Sequence, residues 1–349
     1  MKDFKQKMVD FDIVGKHKIW YLIPVIVLLT AAIVFSVFAY RGGSAASGMN
    51  IGIDFTGGTL ITVTLGEGAE GAEYAKNVHI LKEILEKHGC ELGQDQKSSG
   101  SDREKSSIDI RFRNPIDGTE TNSEGQTINE LVDAIKADIA AAFYTATDVK
   151  DPNDPNFITS TTIGKTASAK LLKSALLASL LSILLILVYI VIRFELWSGV
   201  VAVLTMLHDV LIMVALTVIF RIQVNTSFVA AVVTIIAYSI NNTIVVFDRI
   251  RENTRTYDDK NRIPYADIAN KAVANTFTRT LLTSLTTFIT VFFLAVLGVA
   301  TMREFTIPIM FGLIAGMFSC VFLAGSSWAL INESLKTRRL KAKQSFKRK

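Results

Sequence analysis

Six stretches of about twenty consecutive apolar residues run through this sequence, and they limit the folds open to it more than any other feature. They fall at 19–40, 171–192, 197–220, 225–247, 280–301 and 305–331. At 1.5 Å per helical residue each is long enough to cross the ~30 Å hydrocarbon core of a bilayer. A mean hydropathy of +0.37 agrees, as do 50% hydrophobic residues over 349 positions. The expected fold class is an α-helical polytopic membrane protein with six transmembrane helices. The first run carries Trp20, Tyr21 and Tyr40 at its edges, as an interfacial belt does. It also outlasts the ~7–15 apolar residues of a signal-peptide core, so it is read as a retained helix.

Lysine and arginine set the orientation. Residues 1–18 contain five lysines, and residues 336–349 contain eight basic residues and no acidic one. Both ends are therefore expected in the cytoplasm, at the face of a cell membrane, which an even number of spans allows. The 42–168 stretch holds 20 acidic and 11 basic residues and is placed outside. The expected order is a cytoplasmic segment 1–18, a span, an extracytoplasmic domain over 41–168, and then five spans. A cytoplasmic loop 248–279 separates the fourth span from the fifth, and 332–349 is a basic cytoplasmic tail. Within the loop, Ile263, Ile268, Ala272 and Val273 suggest a short amphipathic helix lying on the membrane surface, while the mixed charges fit a solvated connector equally well.

The external stretch reads as a small α+β domain. Residues 59–65 and 106–113 alternate as strands do, and 156–163 reads as a third strand. Residues 73–89 and 128–143 have helical spacing. Two polar runs, beginning at Leu92 and Asn114, look like loops. Two helices over a sheet of three or more strands is the expected layering, a ferredoxin-like arrangement.

Polar groups inside the apolar runs are the candidates for chemistry, because such groups are costly in hydrocarbon and face cavities or neighbouring helices. His208 and Asp209 stand near the centre of the third run, and Tyr238, Ser239, Asn241 and Asn242 interrupt the fourth. Arg279 opens the fifth, followed by Thr280, Thr283, Ser284 and Thr287 on one helical face. Gly312 and Gly316 give the sixth a small-residue face suited to close packing. Together these residues suggest a proton or ion pathway. Cys90 and Cys320 lie in segments of opposite character and give no disulfide or metal-ligand pattern. No nucleophile–base pair stands out, so neither an enzyme, a resident cofactor or metal, nor a nucleic-acid partner is expected.

The stretch IGIDFTGGT (51–59) resembles the G-x-D-F-x-G-G-T signature of the SecD/SecF family, on its SecF side. VDFDIVGKHKIW (9–20), RFELWSGVVAVLTMLHDVLIM (193–213), YSINNTIVVFDRIREN (238–253) and RTLLTSLTT (279–287) resemble it too. That family is a membrane-embedded accessory of the Sec translocon, related to RND-type transporters, which draws on an ion gradient to help pull exported chains outward. The resemblance implies SecD, the SecYEG translocon, YidC/YajC-type accessory proteins and unfolded preproteins as partners, besides the lipid bilayer. A different class, an independent RND-like exporter of small molecules or lipids, would share six helices and an external domain.

The resemblance also assigns roles. Where the family pattern reads Y-S-x-N-D-T, Asn241 matches the asparagine but Asn242 replaces an aspartate of the proton path. Arg279 maps onto the path arginine. Asparagine keeps nearly the shape of aspartate but cannot titrate. Three mechanisms follow: protons move with the load carried by a SecD carboxylate and Arg279 as counter-charge; Na⁺ is held by oxygens such as those of Asn242, Ser239 and Thr283; or the complex holds chains passively. Asp54, Phe55, Gly57 and Gly58 are the expected coupling point between external domain and spans, with hinges over 41–48 and near Gly164. Before the second span, Lys165 and Ser168 replace a proline and a glycine of the family's usual turn.

Overall fold

A computed structural model describes residues 11–41, 45–65, 69, 71–90, 92–98, 106–112, 127–143, 157–193, 195–257, 263–298 and 300–347. Helix α1 (His17–Arg41) is followed by two short helices, α2 (Ala45–Met49) and α3 (Ile53–Thr56), which lead into the α+β domain. Its elements are β1 (Gly58–Thr64), α4 (Gly71–Lys87), β2 (Leu92–Ser98), β3 (Ser107–Phe112), α5 (Ile128–Phe143) and β4 (Ile158–Ile163). The sheet is antiparallel with strand order β2-β3-β1-β4, the ferredoxin-like arrangement.

One face of this sheet is apolar because the alternation in β1 and β3 puts Ile61, Val63, Ile108, Ile110 and Phe112 on the same side. Leu81 and Leu85 of α4 and Leu131, Ile135, Ile139 and Phe143 of α5 cover them, four residues apart along each helix. Each fully buried side chain of this size contributes about 1.5–3 kcal/mol. The start of α5 is a capping box: Glu130 accepts from the Thr127 backbone N–H at 2.7 Å. The strand over 92–98 corrects the expected loop there. As an edge strand of polar sequence it has no buried face on its far side to impose a two-residue hydrophobic period, so nothing in the pattern betrays it. The second expected loop, from Asn114, lies outside the described residues.

After β4 the chain turns at Gly164 directly into α6 (Lys165–Arg193), then α7 (Leu196–Ile219), α8 (Thr226–Thr254) and α9 (Tyr265–Leu297). The last membrane helix runs as α10 (Ala300–Phe318), a π-helical turn over Ser319–Ala324, and α11 (Gly325–Lys347). Six helices are long and apolar enough to cross a membrane among the described residues. Helix α10 is central and packs on α7, α8 and α9, whereas α1 and α6 are peripheral.

Two expectations are revised here. Most of 248–279 is helix: α8 runs on to Thr254 and α9 begins at Tyr265. Ile268, Ala272 and Val273, with Ile263 just before them, are buried inside the bundle beside Ile13 and Val14 of the N-terminal segment. No Gly or Pro occurs within α9, and its buried stripe continues through Thr276, Thr280 and Ser284, so the amphipathic turn and the fifth span form one helix. The second revision concerns the hinge over 41–48. Residues 45–49 are helical, and the Arg221 guanidinium donates to the carbonyls of Ser47 and Gly48 at 2.9 and 2.7 Å. That half of the segment is tied to the turn between α7 and α8; residues 42–44 lie outside the described residues.

Candidate functional site

The inward faces of α7, α8 and α10 meet at a carboxylate. Asp209 has no exposed surface. The Ser239 hydroxyl donates to its Oδ2 at 2.5 Å, and His208 Nδ1 lies 2.9 Å from its Oδ1. Gly316 of α10 leaves room for it: a Cβ there would sit 3.4 Å from Asp209 Oδ2. Four residues earlier, Gly312 stands against Ile235 of α8 with no space for a side chain, which lets the two helices approach closely. The imidazole of His208 stacks with Phe318, centroids 6.5 Å apart. A neutral ring donating Nδ1–H to the carboxylate leaves Nε2 as a bare acceptor; that atom is buried and bonded by no described residue.

One turn along α8, Asn242 is buried and its side-chain amide donates to Ser284 Oγ of α9 at 3.4 Å, while its backbone carbonyl accepts from the Cys320 thiol at 3.3 Å. Cys320 belongs to the π turn, where one extra residue per turn shifts the register of the helix and places Ser319 and Cys320 against the site. Thr280 and Ser284 face inward with Asn242, and the Tyr238 hydroxyl reaches Thr287 at 3.4 Å.

Other candidates lie elsewhere. Asn241 is exposed, because a step of 100° along the helix turns it away from the face that Asn242 occupies. Arg279 and Thr283 are exposed on α9. The three oxygens considered as a cation set are thus directed to three places: Ser239 to Asp209, Asn242 to Ser284, and Thr283 to the outside of the bundle.

The residues expected to couple domain and spans form a joint at the domain end of the bundle. Asp54 of α3 accepts from the Thr226 N–H at 3.0 Å, and so places a carboxylate on the N-terminus of α8. Phe55 packs against the apolar cluster that includes Met213, Phe228 and Leu313. Gly52 N donates to Val224 O at 2.8 Å, and Val224 N to Asn50 O at 3.1 Å. Gly57, at φ 73° and ψ 154°, holds a backbone shape nearly restricted to glycine, and its N–H closes α3 onto Ile53 O.

Sequence reasoning missed the partner of this joint. Glu304, near the start of the sixth membrane helix, is buried; Arg111 of β3 donates to its Oε1 at 3.0 Å, and Asn225 Nδ2 donates to its Oε2. Asn225 is also the N-cap of α8, accepting from Phe228 N at 3.0 Å. Two residues from Arg111, Asp109 bonds the Thr62 hydroxyl at 2.7 Å; burial raises its pKa above the ordinary value, with Thr62 and Arg111 opposing. The usable signal was the Asn-Thr-Ser of 225–227, a helix start facing a lone acid at the head of the sixth apolar run.

The sequence matches the family described as protein export membrane protein SecD/SecF, C-terminal, over residues 144–334, and the SecD/SecF GG motif over residues 42–69. It is 31% identical to the protein translocase subunit SecF of Sebaldella termitidis, covering 90% of each chain. It is 30% identical to the SecF subunit of Rickettsia prowazekii, covering 92% of this chain and 91% of that one. Among solved structures it resembles SecDF of Thermus thermophilus, described as a translocon-associated membrane protein, with a TM-score of 0.66 at 25% identity. That likeness covers 89% of this chain and 37% of the SecDF chain.

Proposed function

This chain belongs to the SecD/SecF family of protein-export membrane proteins, and from that membership we propose that it serves as the SecF subunit of a protein translocase. In this reading it pairs with a SecD partner and the SecYEG channel, alone or with YidC/YajC-type accessory proteins, in the cytoplasmic membrane with both termini inside. It uses an ion gradient to help unfolded chains leave on the far side. The observation that carries the reading is coverage: relatives that are translocase subunits match along nine-tenths of their length, not over one shared domain. That same coverage speaks against an independent exporter of small molecules.

The exposed polar groups support a partner within the membrane. Asn241, Arg279, Thr283, Thr286 and Thr290 lie on the outer surface of helices long enough to span. Polar side chains facing lipid are costly and mostly pair with other helices. A SecD helix set against α8 and α9 would cover them and bring its own carboxylate to Arg279.

Asp209 is the carboxylate this chain places at the centre of the spans. Its carboxylate is already oriented by Ser239 and His208, and Gly316 of α10 stands against it. Binding an ion at this carboxylate changes the charge held between Ser239 and His208, and with it the packing of α7, α8 and α10. Export in sealed vesicles containing the channel, the SecD partner and this chain tests the reading. An imposed gradient of H⁺ or Na⁺ should speed completion of export, and Asp209→Asn should remove most of that increment. With Asn242→Asp, a switch of the preferred ion would assign ion choice to position 242. No response to either gradient would replace ion coupling with passive holding.

A further inference from the structure

We propose that Glu304 is the residue through which the fourth and sixth spans move the α+β domain, with Arg111 and Asn225 as its two grips. The proposal rests on the export reading above and adds the mechanical link that reading lacks. Three bodies meet at this carboxylate. Arg111 reaches it from β3 at 3.0 Å, Glu304 itself stands near the start of α10, and Asn225 reaches it from the N-cap of α8. The Arg111 and Glu304 side chains are only 12% and 8% exposed.

Geometry connects this joint to the Asp209 centre. Twelve residues of α10 separate Glu304 from Gly316, about 18 Å of helix, and fourteen of α8 separate Asn225 from Ser239, about 21 Å. Both helices are close-packed along Gly312 and Ile235, so a shift of α8 against α10 at Asp209 must reappear at their outer ends. There it changes the distance between Asn225 and Glu304. A pair of exposed charges would absorb such a change in solvent. A desolvated ion pair resists it, because its attraction is little screened and drawing it apart is costly. Arg111 therefore follows Glu304 and carries β3 with it. Asp54, bonded one residue further at Thr226, holds α3 to the same helix end, so the domain is gripped through α3 as well as β3.

The test separates this role from mere stability. Glu304→Gln alone removes one charge of the pair; Glu304→Gln with Arg111→Gln removes both. In the reconstituted complex with SecD and channel, the double variant should match wild type in amount, in partner association and in ATP-driven export. It should lose most of the gradient-driven increment. A double variant that keeps the full increment overturns the proposal, since the pair would then be structural only. Asn225→Asp provides a second arm: aspartate still caps α8 but repels Glu304 where the amide donated. It should also depress the increment while leaving the complex intact, and an unchanged increment overturns the proposal even if the double variant does not accumulate. A wild type showing no increment at all would instead overturn the export-coupling reading itself.

Discussion

Gly58 has φ +149°, and a Cβ placed on it would lie 2.6 Å from the Phe112 carbonyl and 2.9 Å from Ile53 Cγ2. Gly58→Ala must both leave that conformation and push β1 away from β3, at a cost of about 1–3 kcal/mol or more. Hydrogen exchange on the full chain should show the loss first in β1 and β3 amides; unchanged protection there would contradict it. The residues of the membrane centre were legible beforehand, because an Asp, His or Asn inside an apolar run stands out whatever the fold. What could not be read was which of Asn241 and Asn242 turns inward, since the phase of a helix is set by its neighbours. Glu304 was illegible for a different reason. It stands one residue outside the sixth apolar run as read from the sequence, where an acid is ordinary, and only Arg111 and Asn225, 193 and 79 residues away, make it unusual.

Among the elements, the helices of the α+β domain show how a local pattern and a long-range contact cooperate. Their apolar stripes were plain in the sequence, and their mutual fastening was not. Asp138 of α5 takes Lys87 at 2.7 Å and His88 at 3.0 Å, both at the end of α4. The Lys87 and His88 hydrogen bonds hold its pKa below the ordinary 3.8. A carboxylate with a lowered folded pKa adds stability above its unfolded pKa and loses it as pH falls toward the folded value. The α4–α5 contact should therefore weaken below about pH 3.8, read as faster exchange of the amides at the end of α4. Asp138→Asn should lack that acid-dependent step; an identical acid profile would show that the contact does not depend on this carboxylate. The fifth span illustrates the opposite case. A change in polarity near residue 279 suggested two elements, yet without a Gly or Pro the backbone has no reason to stop, and one helix runs from Tyr265 to Leu297.

For the whole molecule, the distribution of exposed side chains implies an incomplete surface. Helix α6 is almost unburied, and α9 presents Arg279, Thr283, Thr286 and Thr290 outward. Single cysteines placed at Asn241 and Thr283 should react readily with a small membrane-permeant maleimide in the chain alone. They should be protected several-fold when a SecD partner is co-expressed, and equal labelling in both cases would place the partner on another face. Cys90 and Cys320 are both buried, and burial raises the Cys90 thiol pKa to about 11, so neither should obscure that readout. By itself the sequence determined the number of spans, the presence of an α+β domain after the first, and the polar residues inside the spans. Those follow from hydropathy and from periods of 2 and 3.6, which are properties of neighbouring residues. Only the tertiary structure decided that Ser239 and His208 orient Asp209, that Asn241 and Arg279 face outward, and that Glu304 joins the domain to two helices. Each of these depends on which groups, far apart along the chain, are brought within bonding distance when the helices pack.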